Sequence, residues 1–282
     1  MSKKRSNVVV QTFQLPGMLI EKYFYSAGSI EPLPKHSHQE YQLGMSLDCQ
    51  GEYYYRGAYH SVPTGKLSII HSGEVHSPSE RTHLPQPASF LMMQIEPTLL
   101  TTTAMEIGKD ISVPFFTQPV FSDRTIAQLF YRLCTSDRDS NLAQDSLLLD
   151  FLSYLVTPKQ AQILDAGKKT QSTLKTTHNA IAIVCDYLHA NYADNVSLAE
   201  LANIAGISRF YLSRLFRRQQ GISLSAYQTQ IKIDRAKQLL AQGMSISAAA
   251  TATGFYDQSH FGHHFKRLVG TTPGKYGNIQ YE

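Results

Sequence analysis

A chain of 282 residues is long enough for two separately cored domains, and 42% apolar with 17% charged residues is ordinary for a globular protein. No apolar run approaches the roughly 18 residues that span a bilayer, and three cysteines without a CxxC pair do not describe a disulfide framework or a zinc site. The formal charge of +4 is unevenly placed: residues 178–282 hold ten Lys and Arg against six Asp and Glu, and the rest of the chain is neutral.

The basic start, Met1 to Ser6, is followed by no apolar block of signal-peptide length, so the expected location is the cytoplasm and no membrane partner is expected. From Val8 to Ile95 the pattern predicts short strands, among them Tyr41–Met45, Glu52–Arg56, Lys66–Ile70 and Phe90–Gln94. Turn signals at Gln50-Gly51, Arg56-Gly57, Pro63 to Gly65 and Ser72-Gly73 separate them, as in an antiparallel sandwich or small barrel. Near Ser122 the period changes to that of helices, over Arg124–Cys134 and Ala143–Val156. Leu148, Phe151, Leu152 and Leu155 form a stripe that packs on the sheet or joins two copies of the chain. Lys159 to Lys175, rich in Gln, Lys, Thr and Ala, reads as a linker.

The last hundred residues repeat themselves. Ser197 to Ile207 matches Ser245 to Phe255, and Phe216 to Gly221 matches Phe265 to Gly270. Each unit reads as a helix of small residues, a turn holding a glycine, and a second helix ending at another glycine. Ser197 with Glu200 is a capping box, and Gly206 and Gly254 stand where the turn demands positive φ. Ser208 caps a helix that turns Leu212, Leu215 and Phe216 inward and Arg209, Arg214, Arg217 and Arg218 outward. This is the pattern of a helix-turn-helix, whose second helix enters the DNA major groove. Between the units, Ser223–Gly243 predicts one continuous helix with Tyr227, Ile231, Ala236, Leu239 and Leu240 buried. Its length, about 28 Å, is near the roughly 34 Å of a duplex turn. A helical bundle with a solvated Arg face is the simpler alternative, and the repeat weighs against it.

These residues resemble the AraC-type transcription regulators, in which two helix-turn-helix units are joined by a long helix. The resemblance rests on Tyr211-Leu212-Ser-Arg214-Leu-Phe216 and on Gly254-Phe255, Phe261, Phe265-Lys266, Gly270, Thr272-Pro273 and Tyr276. It departs at His263 and Gly277, where the family often has Arg, and the departure at His263 implies weaker electrostatic anchoring by the second unit than by the first. The resemblance implies reading helices at about 208–219 and 257–268 in successive major grooves. Phe210, Ser213 and Arg214 would read bases from the first, with Ser208, Arg209 and Arg217 beside them. Gln258, Ser259, Gly262 and His263 would serve on the second, with His260 and Lys266.

The first half resembles the cupin-like sensor domain of many such regulators, through His36-Ser-His38-Gln-Glu40-Tyr41, Gly51 to Gly57, Pro63-Thr-Gly65 and Gly73-Glu-Val-His76. The expected fold class is therefore α+β multidomain: an N-terminal cupin-like β-barrel with following helices, then a C-terminal all-α double helix-turn-helix domain. The expected boundaries are 1–157 for effector sensing and dimerisation, 158–176 for the linker and 177–282 for DNA binding. Candidate effector contacts are His36, His38, Glu40, Tyr53, Tyr55 and His76. In a strand His36, His38 and Glu40 would share a side, so the histidines could hold a metal, line a polar pocket or bond to backbone. Tyr53 and Tyr55 could line that pocket or simply fill the barrel. His60 and His71 read as surface residues.

The leading function is a transcription factor that binds double-stranded DNA and responds to a small-molecule effector. RNA polymerase and a second copy of the chain are further partners, and the family leans toward activation. No catalytic residue, cofactor or metal is assigned, and the chain is not expected to be an enzyme. The alternative is a cupin-type metalloenzyme fused to a DNA-binding domain, which requires metal at His36, His38 and His76. A repair fusion with a reactive cysteine is set aside, because no cysteine stands in a motif or next to a basic residue in the sequence.

Overall fold

The computed structural model describes residues 5–78, 81–107, 114–135, 141–157, 159–163 and 175–277. Most of the linker expected at 158–176 lies outside the described residues. Ten strands come first: β1 (Val8–Leu15), β2 (Met18–Tyr25), β3 (Gly28–Ser29), β4 (Tyr41–Ser46), β5 (Gly51–Tyr55), β6 (Ala58–Val62), β7 (Leu67–Ile70), β8 (His76–Pro78), β9 (His83–Leu84) and β10 (Ala88–Ile95). They are followed by α1 (Pro97–Glu106), β11 (Pro114–Phe115), α2 (Arg124–Thr135), α3 (Asn141–Leu155) and β12 (Gln162–Ile163). The C-terminal part is helical: α4 (Lys175–Ala190), α5 (Leu198–Ile204), α6 (Arg209–Gln220), α7 (Leu224–Ala241), α8 (Ile246–Ala252) and α9 (Gln258–Val269), closed by a 3₁₀ turn at Pro273–Lys275.

The larger sheet is antiparallel in the order β1-β2-β10-β4-β7, and the smaller has the order β6-β5-β8. Strand alternation gives the larger sheet two different faces. Met18, Ile20, Tyr41, Leu43, Leu91, Met93 and Ile95 point into a core shared with Phe116, Phe130, Phe151, Leu152 and Leu155 of the helical layer. The opposite face carries Glu21, Tyr23, Gln42, Phe90 and Met92, which line a cavity instead. Arg56 and Gly57, at φ 50° and 82°, make the two-residue turn of the β5–β6 hairpin, the geometry that matches strand twist.

The expected helices and strands are present with ends shifted by two residues at most, and α1, which opens on Pro97, is an addition. The α3 stripe is settled as packing: Phe151, Leu152 and Leu155 are buried in the domain's own core and Leu148 packs against it. That excludes the stripe as a surface for joining two chains.

The two parts of the chain share a core. Val8 and Val10 of β1 are buried with Ile233, Ala236 and Leu240 of α7, Ala249 and Ala250 of α8, and Phe261, Phe265 and Val269 of α9. Polar contacts close the same interface. The Thr271 hydroxyl donates to the Val8 carbonyl at 2.7 Å, and the Gly277 N–H donates to Val10 O at 3.1 Å. Lys237 reaches Glu21 Oε2 at 3.2 Å, and the Tyr276 hydroxyl donates to Glu21 Oε1 at 2.6 Å.

Candidate functional site

Each DNA-binding unit is built by the local chemistry its sequence announces. Ser197 accepts from the Glu200 N–H at 3.1 Å and starts α5, but the expected box is only half closed. The Glu200 carboxylate turns away to accept from the Tyr187 hydroxyl at 2.6 Å. Gly206 at φ 65° makes the turn, Ser208 caps α6 by accepting from the Tyr211 N–H at 3.3 Å, and Gly221 at φ 67° ends it. The second unit repeats the device with Ser245, Gly254 at φ 68°, Asp257 and Gly270. Gly254 is fixed further by space, since a Cβ there would lie 1.9 Å from the Ala193 carbonyl oxygen.

Between them α7 runs unbroken for 18 residues and supplies both cores. Tyr227 and Ile231 pack with Leu212, Leu215 and Phe216 of the first unit, while Ile233, Ala236 and Leu240 pack with Phe261 and Phe265 of the second. Leu239 is only half-buried. Gln230, Ile233 and Lys237 are buried beyond expectation, because that face of α7 meets the N-terminal domain.

The candidate DNA contacts are outward. Ser208, Arg209, Phe210, Ser213, Arg214 and Arg217 of the first unit are exposed, with Phe210 at 73%, and the Arg214 guanidinium lies over the Phe210 ring at 5.8 Å. Gln258, Ser259, His260, His263 and Lys266 of the second are exposed, and Gly262 is half-buried. Two aromatics outside the expected set are also exposed, Tyr211 and Tyr256. Tyr256 is 95% exposed beside the start of α9, and a large aromatic in a turn ahead of a reading helix was a signal available in the sequence. Lys266 has a second role, since with Arg267 it reaches the rim of the cavity described next.

That cavity, of about 610 Å³, lies between the domains. Met45, Tyr53, Ile70, Phe90 and Met92 form its apolar wall on the sensor side, and Gln230, Ile233, Asp234, Lys237 and Leu268 close it from the DNA-binding side. Of the expected effector residues, His36, His38, His76 and Tyr53 line it. Tyr55 does not: it is fully buried, and its hydroxyl meets His71 Nδ1 at 2.8 Å. Glu40 also stands apart, accepting from Gln238 Nε2 at 3.2 Å. Only His36 of the His36–Glu40 segment pairs as a strand, so simple alternation does not carry Glu40 to the histidines.

His71 is buried rather than on the surface. The Phe116 N–H donates to its Nε2 at 2.8 Å, and Arg56 lies 3.1 Å from Nδ1. His60 is half-buried, with Nε2 3.0 Å from the Tyr55 carbonyl oxygen.

Electrostatics at the interface follow from burial. Desolvation, helped by the neighbouring His38, lowers His36 to about 4, and desolvation with the same histidine neighbours also lowers His76. Both rings are neutral at pH 7. Desolvation raises Glu40, with Asp234 adding to it. Burial pushes Asp234 up, but His38 and Lys237 outweigh it and hold the group below its ordinary value. Tyr276 and Tyr23 are raised by burial and by the Glu21 carboxylate beside them.

Comparisons with known proteins agree with this architecture. The family model of the AraC-like ligand binding domain matches residues 23–152, and that of a helix-turn-helix domain matches residues 201–278. The chain is similar to the uncharacterized HTH-type transcriptional regulator YbfI of Bacillus subtilis, at 29% identity over 89% of each chain. It is also 29% identical to the arabinose operon regulatory protein of Escherichia coli, over 56% of this chain and 51% of that one. In fold it is similar to ToxT of Vibrio cholerae, apo (TM-score 0.64, 12% identity, 94% and 97% of the two chains) and bound to unsaturated fatty acid (0.62, 13%, 93% and 95%). These sequence relatives are transcription regulators, which lends the metalloenzyme alternative no support. Among the described residues no helix is long and apolar enough to cross a membrane. With an AraC-like ligand binding domain matched ahead of a helix-turn-helix domain, and transcription regulators as its relatives, the chain has the two-domain architecture of the AraC-type transcription regulators: one domain of a DNA-binding kind and one of a small-molecule-binding kind.

Proposed function

We propose that α6 and α9 enter successive major grooves on one face of the duplex, and that an effector in the interdomain cavity governs how the sensor domain holds them. The observation that carries this reading is the shared wall of the cavity, to which α7 and the last turn of α9 contribute alongside the strands. A molecule bound there makes different contacts in the docked and undocked arrangements, which is what coupling requires. The lining suits a mainly apolar molecule with one polar group, the apolar wall facing a polar corner of His36, His38, His76 and Asp234.

In this reading Phe210, Ser213 and Arg214 read base edges from α6, and Gln258, Ser259, Gly262 and His263 read them from α9. Ser208, Arg209, Arg217, His260 and Lys266 meet the sugar-phosphate backbone. The 18 residues of α7 make a rod of about 27 Å against a duplex turn of about 34 Å. The working units are residues 1–157 for sensing, joined by 159–163, where Ala161 is buried in the sensor core and β12 pairs with β11, then the rest of 158–176 as linker and 177–282 for DNA, acting in the cytoplasm. RNA polymerase and a second chain complete the assembly. Pairing of two chains uses the outer faces of α2 and α3, where Tyr131 and Leu149 are 46% and 55% exposed.

The test is selection of genomic fragments on the purified full chain, followed by anisotropy titrations of a selected site and of random DNA. Selected DNA is expected to bind about a thousandfold or more tightly than random DNA, with affinity falling steeply as salt rises. Equal binding to both would overturn the reading.

A further inference from the structure

Three imidazoles converge at the polar corner of the cavity. His36 and His76 exchange backbone hydrogen bonds, each N–H donating to the other's carbonyl at 2.9 Å, which sets their rings side by side with centroids 4.3 Å apart. The His38 ring completes the group at 4.9 Å from His36 and 5.4 Å from His76. One ring nitrogen of each residue lies within 4.8 Å of the other two.

The outer side of each ring faces an acceptor. His36 Nδ1 is 2.7 Å from the Pro34 carbonyl oxygen, and His76 Nδ1 is 3.3 Å from that of Glu74. His38 Nδ1 is 3.2 Å from both carboxylate oxygens of Asp234 on α7. In a neutral ring these acceptors place the proton on Nδ1 and leave Nε2 as a bare lone pair. His76 Nε2 is buried and has no hydrogen-bond partner. The pair His260 and His264 on α9 also holds a buried nitrogen without a partner, His264 Nδ1, but its two Nε2 atoms lie 3.0 Å apart, the spacing of two rings that share a proton. A buried lone pair without a donor is costly. His76 Nε2 is such a group, and the His36 and His38 rings, fixed from behind around the same point, complete a ligand set with it.

We propose that His36, His38 and His76 bind one divalent transition-metal ion through Nε2, with Asp234 as the outer carboxylate that orients His38, so that the ion fastens the sensor domain to the DNA-binding domain. Imidazole nitrogen suits zinc, copper, iron and nickel, and a carboxylate or carbonyl behind each ring fixes its tautomer and raises its basicity. Zinc–nitrogen bonds of about 2.0–2.1 Å set tetrahedral ligands about 3.4 Å apart, so the ion draws the most distant pair inward. Three protein ligands leave a fourth position, which opens on the cavity and accepts water or a donor atom of the effector. Because Asp234 belongs to α7, undocking removes the outer carboxylate. By reciprocity, docking then strengthens ion binding as much as the ion strengthens docking.

The test uses the full chain, stripped with chelator and titrated with Zn²⁺ against a chromophoric competitor, with Co²⁺ spectra reporting coordination. One ion per chain and the visible bands of four-coordinate cobalt are expected. His76→Asn should weaken binding at least about a hundredfold, and His38→Gln gives the same reading if the first variant does not fold. Asp234→Asn should stay folded by circular dichroism and bind about 10- to 100-fold more weakly. A double His260→Ala/His264→Ala variant should keep the tight site. Absence of stoichiometric binding, or tight binding that survives His76→Asn and disappears with the α9 double variant, overturns the site. An Asp234→Asn variant that binds like the parent overturns the link to docking.

Discussion

Arg214 shows how much a single side chain can be asked to do. It is exposed on α6, with its guanidinium over the ring of the exposed Phe210. Replacing it with alanine should cost about 1–3 kcal/mol on the selected site and relax sequence preference at one position, read by parallel titrations of specific and random DNA. An equal loss on both would assign it to a phosphate. His71 carries a pH prediction. Burial first, and Arg56 second, lower it to about 4, with Glu74 opposing, while its Nε2 accepts from the Phe116 N–H. A folded value below the unfolded one near 6.5 means stability is complete above about pH 6.5 and declines as pH falls toward 4. Urea unfolding of a His71→Gln variant should show a shallower decline across that window than the parent.

At the scale of elements, the two glycine turns make a matched experiment. Gly206 and Gly254 share a left-handed conformation, which costs an alanine roughly 1–2 kcal/mol. A Cβ at Gly206 meets nothing within 4 Å, whereas one at Gly254 would overlap the Ala193 carbonyl. Gly254→Ala should therefore lower unfolding stability clearly more than Gly206→Ala, as read by the urea midpoint. The tandem units were legible in the sequence because their chemistry is local: caps, glycine turns and a helical period all fall within a few residues. The strands were legible through turn signals, and Arg56-Gly57 fixed one hairpin outright. His71 was misread because Ser72-Gly73 beside it looks like a surface turn, while the Phe115–Phe116 segment that covers it lies far along the chain. Tyr55 was misplaced for the same reason, its partner being His71. Lys237 could have been found: it falls on the buried stripe of α7 with Ile233, Ala236 and Leu240, and a lysine there demands a carboxylate. Nothing local named Glu21 as that carboxylate.

For the whole molecule, the Glu21–Lys237 pair is the clearest handle on docking. Both side chains are nearly inaccessible, and Glu21 also accepts from the Tyr23 and Tyr276 hydroxyls. Lys237→Met leaves a buried carboxylate without its cation and should cost about 3–5 kcal/mol in urea unfolding, whereas Lys237→Met with Glu21→Gln should recover much of the loss. If the single and double variants are equally destabilised, the pair contributes only packing.

The first strand deserves a place in any description of DNA reading, because Val8 and Val10 finish the hydrophobic interior beneath α8 and α9. Trimming the chain past Val10, or crowding that strand with a bulky fusion, would strip the distal reader of a wall and leave its greasy underside in water. Edits at one terminus would then surface as faulty operator choice, or as clumping, at the other.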